Sequence, residues 1–264
     1  MKFTGNAFKQ ALQQGRKING YWVSLCSPAS AEIMAGSGID WLLVDMEHSP
    51  NEVATVADQL RAVGQACSVV VRPPESSQTL AKRLLDVGVK TLMFPMIDTP
   101  EQARAAVSWT RYPPHGVRGI SAVVRATDYG RSAQAYLEAQ DDICVIVQAE
   151  TPTALANIET IAAVQGVDAI FIGPGDLAAS MGFAGRPSAE PVQQAINDAL
   201  RRITAAGCAA GVLSYGVEPA LAAFDQGAGF VAIGADTWLL ARESSALVGK
   251  LAALMASADD QCLV

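Results

Sequence analysis

Short apolar runs recur along the whole chain, each followed by a polar, alanine-rich stretch in which apolar residues return at helical spacing. The runs predict strands at YWVSL (21–25), WLLVD (41–45), SVVVR (68–72), TLMFPM (91–96), CVIVQ (144–148), AIFIG (169–173), AAGVL (209–213) and FVAIG (230–234). The stretches around them predict helices over 29–36, 51–64, 76–87, 100–108, 152–163, 191–206, 217–226 and 237–256. Strands alternating with helices in this way are the signature of parallel βα units.

The punctuation agrees with the pattern. Ser49-Pro50-Asn51, Asp98-Thr99-Pro100-Glu101 and Thr151-Pro152 place capping side chains and an early proline where helices begin. Glycines mark the helix-to-strand turns, among them Gly88, Gly166, Gly207 and Gly227. An open doubly wound sheet shares this alternation, but eight regular units in 264 residues favour a single closed (β/α)8 barrel spanning 1–264, with no linker inside it. The longest irregular stretch, about 109–140, holds YPPHGVRG (112–119) and RATDYGR (125–131), a length that suggests a lid or an interface.

Composition narrows the function classes. Half of the residues are apolar and 17% are charged, enough to build a large core and too apolar for disorder. With 19 Lys and Arg against 26 Asp and Glu, a net charge of −7 argues against nucleic acid as a partner. The amino-terminal MKFTGNAFKQALQQG lacks the apolar stretch of a signal peptide, and no run approaches the ~20 residues of a membrane-spanning helix. The expectation is a cytoplasmic protein without a membrane partner. Cys26, Cys67, Cys144, Cys208 and Cys262 are odd in number and lack CxxC spacing, so reduced thiols are expected rather than disulfides or a zinc site.

In a barrel the chemistry sits just after the strands. The second strand ends in Asp45-Met46-Glu47-His48, the third in Arg72-Pro73-Pro74, the fifth in Gln148-Ala149-Glu150 and the sixth in Gly173-Pro174-Gly175-Asp176. Glu150 and Asp176 offer two carboxylates from neighbouring strands, an oxygen-rich pair suited to Mg²⁺ or Mn²⁺ with positions left open for a bidentate 2-keto acid. Taken singly, either carboxylate reads as a helix cap or an arginine partner. His48 is one of only two histidines, and its spacing from Asp45 lets that carboxylate orient the ring, which makes His48 a base candidate; a loop histidine satisfied by backbone groups is the plainer reading. His115, in a proline- and glycine-rich loop, has little claim.

Arg72 follows an apolar strand and aims a guanidinium into the mouth, where it could stabilise enolate or alkoxide charge or form a salt bridge to Glu47 or Glu150. Gln148 lies two before Glu150 and shares its face, as a substrate contact or as an ordinary buried amide. Gly173 to Ala178 formally fits a loose dinucleotide fingerprint, but Pro174 lacks an N–H and Asp176 would aim negative charge at a pyrophosphate. None of Lys2, Lys9, Lys17, Lys82, Lys90 and Lys250 follows a strand, which disfavours a Schiff base. No GxSxG elbow or Walker loop is present in the sequence.

Together WLLVDMEHSP, VVRPP, LMFPMIDTPEQA, RYPPHGVRG, VQAETPTAL and IFIGPGDLAASMG resemble the metal-dependent class II pyruvate aldolases of the 4-hydroxy-2-oxoheptanedioate (HpcH/HpaI) family, over roughly residues 5 to 250. The resemblance implies His48 as base, Asp45 as its dyad partner, Arg72 as the transition-state cation and Glu150 with Asp176 as ligands of Mg²⁺, Mn²⁺ or Co²⁺. It further implies substrate contacts at Gln148, Gly175 and Asp176, and a role for Asp86 in supporting the histidine across a subunit boundary. Trp22 and Leu213 are expected to line the aldehyde pocket. A last helix exchanged between subunits and a homohexamer are implied by the family alone. The expected reaction is reversible cleavage of a 4-hydroxy-2-keto acid into pyruvate, or a relative such as hydroxypyruvate, and an aldehyde. The alternatives are a CoA-thioester lyase of the citrate or malyl-CoA type and a non-catalytic, metal-dependent keto-acid-binding protein.

Overall fold

The computed structural model describes residues 5–261. In chain order the elements are α1 (Ala7–Gln13), β1 (Ile18–Val23), α2 (Pro28–Ala35), β2 (Trp41–Asp45), α3 (Val53–Val63), β3 (Ser68–Arg72), α4 (Gln78–Asp86), β4 (Thr91–Phe94), α5 (Pro100–Thr110) and α6 (Ala133–Glu138). They continue with β5 (Cys144–Ala149), α7 (Pro152–Ala156), α8 (Ile158–Ala162), β6 (Ala169–Ile172), α9 (Pro174–Ser180), α10 (Glu190–Ala205), β7 (Ala209–Leu213), α11 (Val217–Asp225), β8 (Phe230–Ala235) and α12 (Asp236–Gln261). The strands pair in sequence order, all parallel, and β8 closes onto β1, giving the (β/α)8 barrel that the alternation predicts. No helix among the described residues is long and apolar enough to cross a membrane.

Side chains alternate between two cores along every strand, as the twofold period of a strand requires. One face packs against the helices through Leu42, Val44, Val71, Leu92, Val145, Val147, Ile170 and Ile172. The other fills the barrel with Ile18, Trp22, Trp41, Leu43, Val70, Met93, Ile146, Phe171 and Phe230. Two glycines make room for the largest of these: a Cβ at Gly20 would run into the Trp41 indole, and one at Gly211 into the Phe230 ring.

Helix α1, which the sequence pattern did not separate from the leading segment, stoppers the end of the barrel where the strands begin. Asn6 caps it by accepting the Lys9 N–H. Phe8 is fully buried and meets Trp41 and Phe230 edge-on at centroid separations of 5.8 and 5.4 Å. Lys9 adds a polar latch from its Nζ to Asp168 at 3.0 Å and to the Asp141 carbonyl at 2.7 Å.

Three expectations are adjusted by the structure. Strand β1 starts at Ile18 rather than at 21, because Asn19 and Gly20, unpromising by propensity, pair with Val231 and Ala232 of β8. The helix expected over 152–163 is two short helices that change course at Asn157, whose amide donates to the Asp98 carbonyl. The stretch 109–140 carries α6, and its anchor is Arg118, buried between the rings of Tyr112 and Tyr136 with an ion pair to Asp86 at 3.1 Å. Cys26, Cys67, Cys144 and Cys208 are free thiols, whereas Cys262 and residues 1–4 lie outside the described residues.

Candidate active site

The inward positions at the carboxyl ends of β2, β3 and β5 are polar, directly above an apolar barrel interior. Asp45 and Arg72 are register partners on β2 and β3. Their side chains form a forked pair, Arg72 Nε and Nη2 each donating to one Asp45 oxygen at 2.9 Å. The third nitrogen, Nη1, lies 2.9 Å from Glu47 Oε2 and 3.5 Å from Gln148 Oε1. The guanidinium carbon sits 5.2 Å from the Trp22 ring centroid. Burial works against the Arg72 charge, but the Asp45 hydrogen bonds and the charges of Asp45, Glu47 and Glu150 outweigh it and raise its pKa.

Gln148 bridges this pair to the next carboxylate, its Nε2 donating to Glu150 Oε2. The backbone N–H of Met96 donates to Glu150 Oε1 at 2.9 Å, and Met96 holds a left-handed backbone, φ 54°, to do so. Glu150 is almost fully buried, and burial, helped by the charges of Asp176 and Glu47, pushes its pKa up to about 7 against the pull of those two donors. Asp176 lies exposed in the first turn of α9, a helix that begins at proline immediately after β6. At Gly173, which precedes that helix, a Cβ would run into Glu150 Oε2 and Gln148 Nε2 and displace them. A Cβ at Gly175 would meet open space.

These groups border a cleft of about 380 Å³ whose lining includes Trp22, Asp45, His48, Arg72, Gln148, Gly175, Asp176 and Leu213. The structure thus brings together every site residue expected from the sequence except Asp86, with Glu150 held just behind Gln148. Asp86 ends α4 and therefore stands at the opposite end of the barrel within its own chain, paired with Arg118. The expected orientation of His48 by Asp45 is not seen. Asp45 spends both oxygens on Arg72 and on the Glu47 N–H, and the carboxylate nearest His48 is Glu47, 3.9 Å from Nε2. His48 itself is exposed at the rim, with 61% of its side-chain surface open.

Sequence reasoning missed Ser24, Ser49, Phe171, Tyr215 and Thr237 in the same lining, and Asp236 behind it. Phe171 and Tyr215 were readable, since each lies two residues from a named position, Gly173 and Leu213, and shares its face of the strand. Asp236 follows β8 and accepts from the backbone N–H groups of Ser24 at 2.9 Å and Leu25 at 3.2 Å and from the Ser30 hydroxyl at 2.8 Å. It thereby ties the last βα turn to the first.

The donor set fits a hard divalent cation. Glu150 and Asp176 supply anionic oxygens that repel one another, and Glu47 Oε2 is buried with no aligned hydrogen bond, so a positive charge would relieve all three. No group of three or more metal-ligating side chains converges among the described residues.

Known proteins are similar in architecture and sequence. The "HpcH/HpaI aldolase/citrate lyase" family model matches residues 19–242. A 4-hydroxy-2-oxovalerate aldolase of Rhodococcus jostii is 47% identical, over 94% of this chain and 96% of its own. A hydroxypyruvate/pyruvate aldolase of Deinococcus radiodurans is 50% identical, over 92% and 88%. Among solved structures, an HpcH/HpaI aldolase/citrate lyase family protein of Burkholderia cenocepacia superimposes with a TM-score of 0.89 at 39% identity, covering 93% of this chain and 99% of that one. With the barrel, the mouth and the sequence in agreement over most of its length, the chain belongs to the HpcH/HpaI aldolase/citrate lyase family.

Proposed function

We propose that the protein is a divalent-metal-dependent aldolase that reversibly cleaves 4-hydroxy-2-keto acids to pyruvate, or a related 2-keto acid such as hydroxypyruvate, and an aldehyde. The observation that carries this reading is the juxtaposition, at one barrel mouth, of a buried fork-held arginine, a solvent-facing histidine and Asp176 lining the cleft, with Glu150 just behind Gln148. Relatives named as aldolases of 4-hydroxy-2-oxo acids support the reaction class.

Bound between Glu150 and Asp176, Mg²⁺, Mn²⁺ or Co²⁺ would polarise the 2-keto group and so acidify the neighbouring carbon. The protein's own groups do the rest. Asp45 locks the Arg72 plane, leaving Nη1 as the edge turned towards Glu47 and Gln148, where it can balance charge that grows on a substrate oxygen. Gln148, fixed between Arg72 and Glu150, offers a neutral amide to the keto acid. His48, at the open rim, takes the proton from the 4-hydroxyl in cleavage and returns it in addition, with Glu47 beside it. The apolar floor of Trp22 and Phe171, 5.4 Å apart, strengthens each of these interactions by excluding water from beneath.

The reading extends to assembly and location. Helix α12 exposes Leu240, Leu247, Val248, Leu251 and Leu254, an apolar surface that supports exchange of this helix within a homohexamer, to be tested by light scattering. The free thiols support a reducing, cytoplasmic setting.

The test is release of 2-keto acid from a racemic 4-hydroxy-2-keto acid by metal-stripped protein, with Mg²⁺, Mn²⁺ or Co²⁺ restored and borohydride added as an imine trap. Cleavage that returns with metal and ignores borohydride supports the aldolase. His48→Ala should abolish that turnover and leave metal affinity unchanged; full turnover in this variant would remove His48 from the proton path. Inertness with every metal, followed by cleavage of malyl- or citramalyl-CoA, would replace the aldolase by a thioester lyase.

A further inference from the structure

We propose that Asn51 and Gln59 are positioning residues for the reaction, a buried pair of carboxamides that holds the segment 45–49 and so sets where His48 stands over the cleft. This rests on the aldolase reading given above and on the part it gives to His48. The histidine has little to hold it by itself. It is exposed at the rim, in a stretch without regular structure after β2, and its nearest carboxylate, Glu47, is 3.9 Å away. Beyond it, Ser49-Pro50-Asn51 reads in the sequence as a helix cap, yet the N-cap of α3 is Glu52, whose N–H donates to the Thr55 hydroxyl at 2.9 Å. The Asn51 side chain, 4% exposed, turns back to the loop instead. Its Nδ2 donates to the Asp45 carbonyl at 2.7 Å and to the Ser49 hydroxyl at 3.0 Å, so one amide joins both ends of the stretch that carries Glu47 and His48. Ser49 donates in turn to the same carbonyl.

The chemistry of the partners fixes each orientation. A carbonyl can only accept, so Nδ2 of Asn51 must face Asp45 and Oδ1 must face α3. There Oδ1 accepts from Gln59 Nε2 at 2.7 Å and from the Thr55 hydroxyl at 2.9 Å, which occupies both hydrogens and both lone pairs of the Asn51 amide. Gln59 gives its second hydrogen to the Thr55 carbonyl at 3.2 Å, and its Oε1 is buried with no partner among the described residues. Gln59 is itself fully buried, on the face of α3 that also buries Val56, Leu60 and Val63. In such a place an apolar side chain of equal length serves stability at least as well as an amide with an orphaned oxygen. What the amide supplies, and an apolar residue does not, is a donor that pins Asn51 and through it the loop. A displacement of about 1 Å at a reacting group can slow a reaction about 10²-fold, so a proton acceptor on an exposed loop depends on such an anchor.

The experiment measures steady-state cleavage of a 4-hydroxy-2-keto acid by the metal-loaded parent, Gln59→Met and Asn51→Asp, with metal affinity and Tm alongside. Gln59→Met keeps the length and the burial and removes the donor. Asn51→Asp keeps the shape and sets an acceptor against the Asp45 carbonyl. The expected kcat is lower by about 10-fold or more in Gln59→Met and about 30-fold or more in Asn51→Asp, with KM and the metal Kd within about threefold of the parent. The Tm of Gln59→Met should stay within about 3 °C of the parent, a combination that a merely structural amide would not give. Because the two residues act by one route, the double variant should have the kcat of Asn51→Asp to within about twofold. Multiplied losses in the double variant would overturn the shared anchor. A kcat within about threefold of the parent in both single variants overturns the proposal and leaves the aldolase reading standing, as does a kcat that falls only as far as the folded fraction or the metal affinity falls. A parent that cleaves no 4-hydroxy-2-keto acid with any divalent metal sinks the aldolase reading beneath it.

Discussion

The Asp45–Arg72 pair shows how much of the chemistry is set by single side chains. Arg72 is 5% exposed and Asp45 is 2% exposed, so neither charge is tolerable without the other, and the two-point fork fixes the guanidinium plane as well as its position. Lysine in that place keeps the charge and loses the fork. Arg72→Lys should still fold, with kcat lower by about 10²-fold or more and a smaller change in KM, measured by steady-state cleavage. Activity within about threefold of the parent would mean that the plane of the guanidinium is irrelevant to the reaction. Gly173 makes the complementary point from the side of the carboxylates. In Gly173→Ala the new methyl displaces Glu150 and Gln148 together, so metal affinity should fall about 10- to 100-fold by titration while thermal stability changes little. Unaltered affinity would show that Glu150 is not a ligand.

At the scale of elements, strands and helices were legible wherever hydrophobic period and capping signals coincided, and β2, β3, β5, β6 and β7 lie where their apolar runs end. What escaped is instructive. Helix α1 is short, and its identity depends on Phe8 finding Trp41 and Phe230, contacts that exist only once the barrel is closed. Helix α9 was hidden because Gly-Pro-Gly-Asp reads as a turn, although Pro174 is the first residue of the helix. The mouth was legible because polar residues following buried strands have few other places to go. The partnerships inside it were not: sequence spacing put Asp45 with His48, whereas strand register puts it with Arg72. Arg118 belongs to the same class, since its partners Asp86 and Tyr136 lie on α4 and α6 and Tyr112 in the loop after α5. The stopper role of α1 yields its own expectation. Phe8→Ala empties a fully buried site at the foot of the barrel and should cost about 3–5 kcal/mol in denaturant unfolding, with kcat preserved because the mouth lies at the other end. A large loss of kcat at full stability would contradict that separation.

For the whole molecule, the decisive quantity is where the net charge of −7 is concentrated. Asp45, Glu47, Glu150 and Asp176 gather at one end of a barrel whose interior is otherwise apolar, and Arg72 is their only buried counter-charge among the described residues of that mouth. Such a fold holds its metal-free mouth together against repulsion, so cation binding and folding are coupled: a cation that binds only the folded chain at 100 times its Kd adds about 2.7 kcal/mol. For a chain of this size that corresponds to a rise in Tm of roughly 5–10 °C. Glu150→Gln removes one of the repelling charges and one of the proposed ligands at once. Its metal-free Tm should equal or exceed that of the parent, while the rise on adding Mg²⁺ or Mn²⁺ should largely vanish. The pair of curves, by calorimetry with and without metal, separates this from simple damage. A variant with a lower metal-free Tm and an intact metal-induced rise would place the cation elsewhere in the molecule and make Glu150 a structural acid.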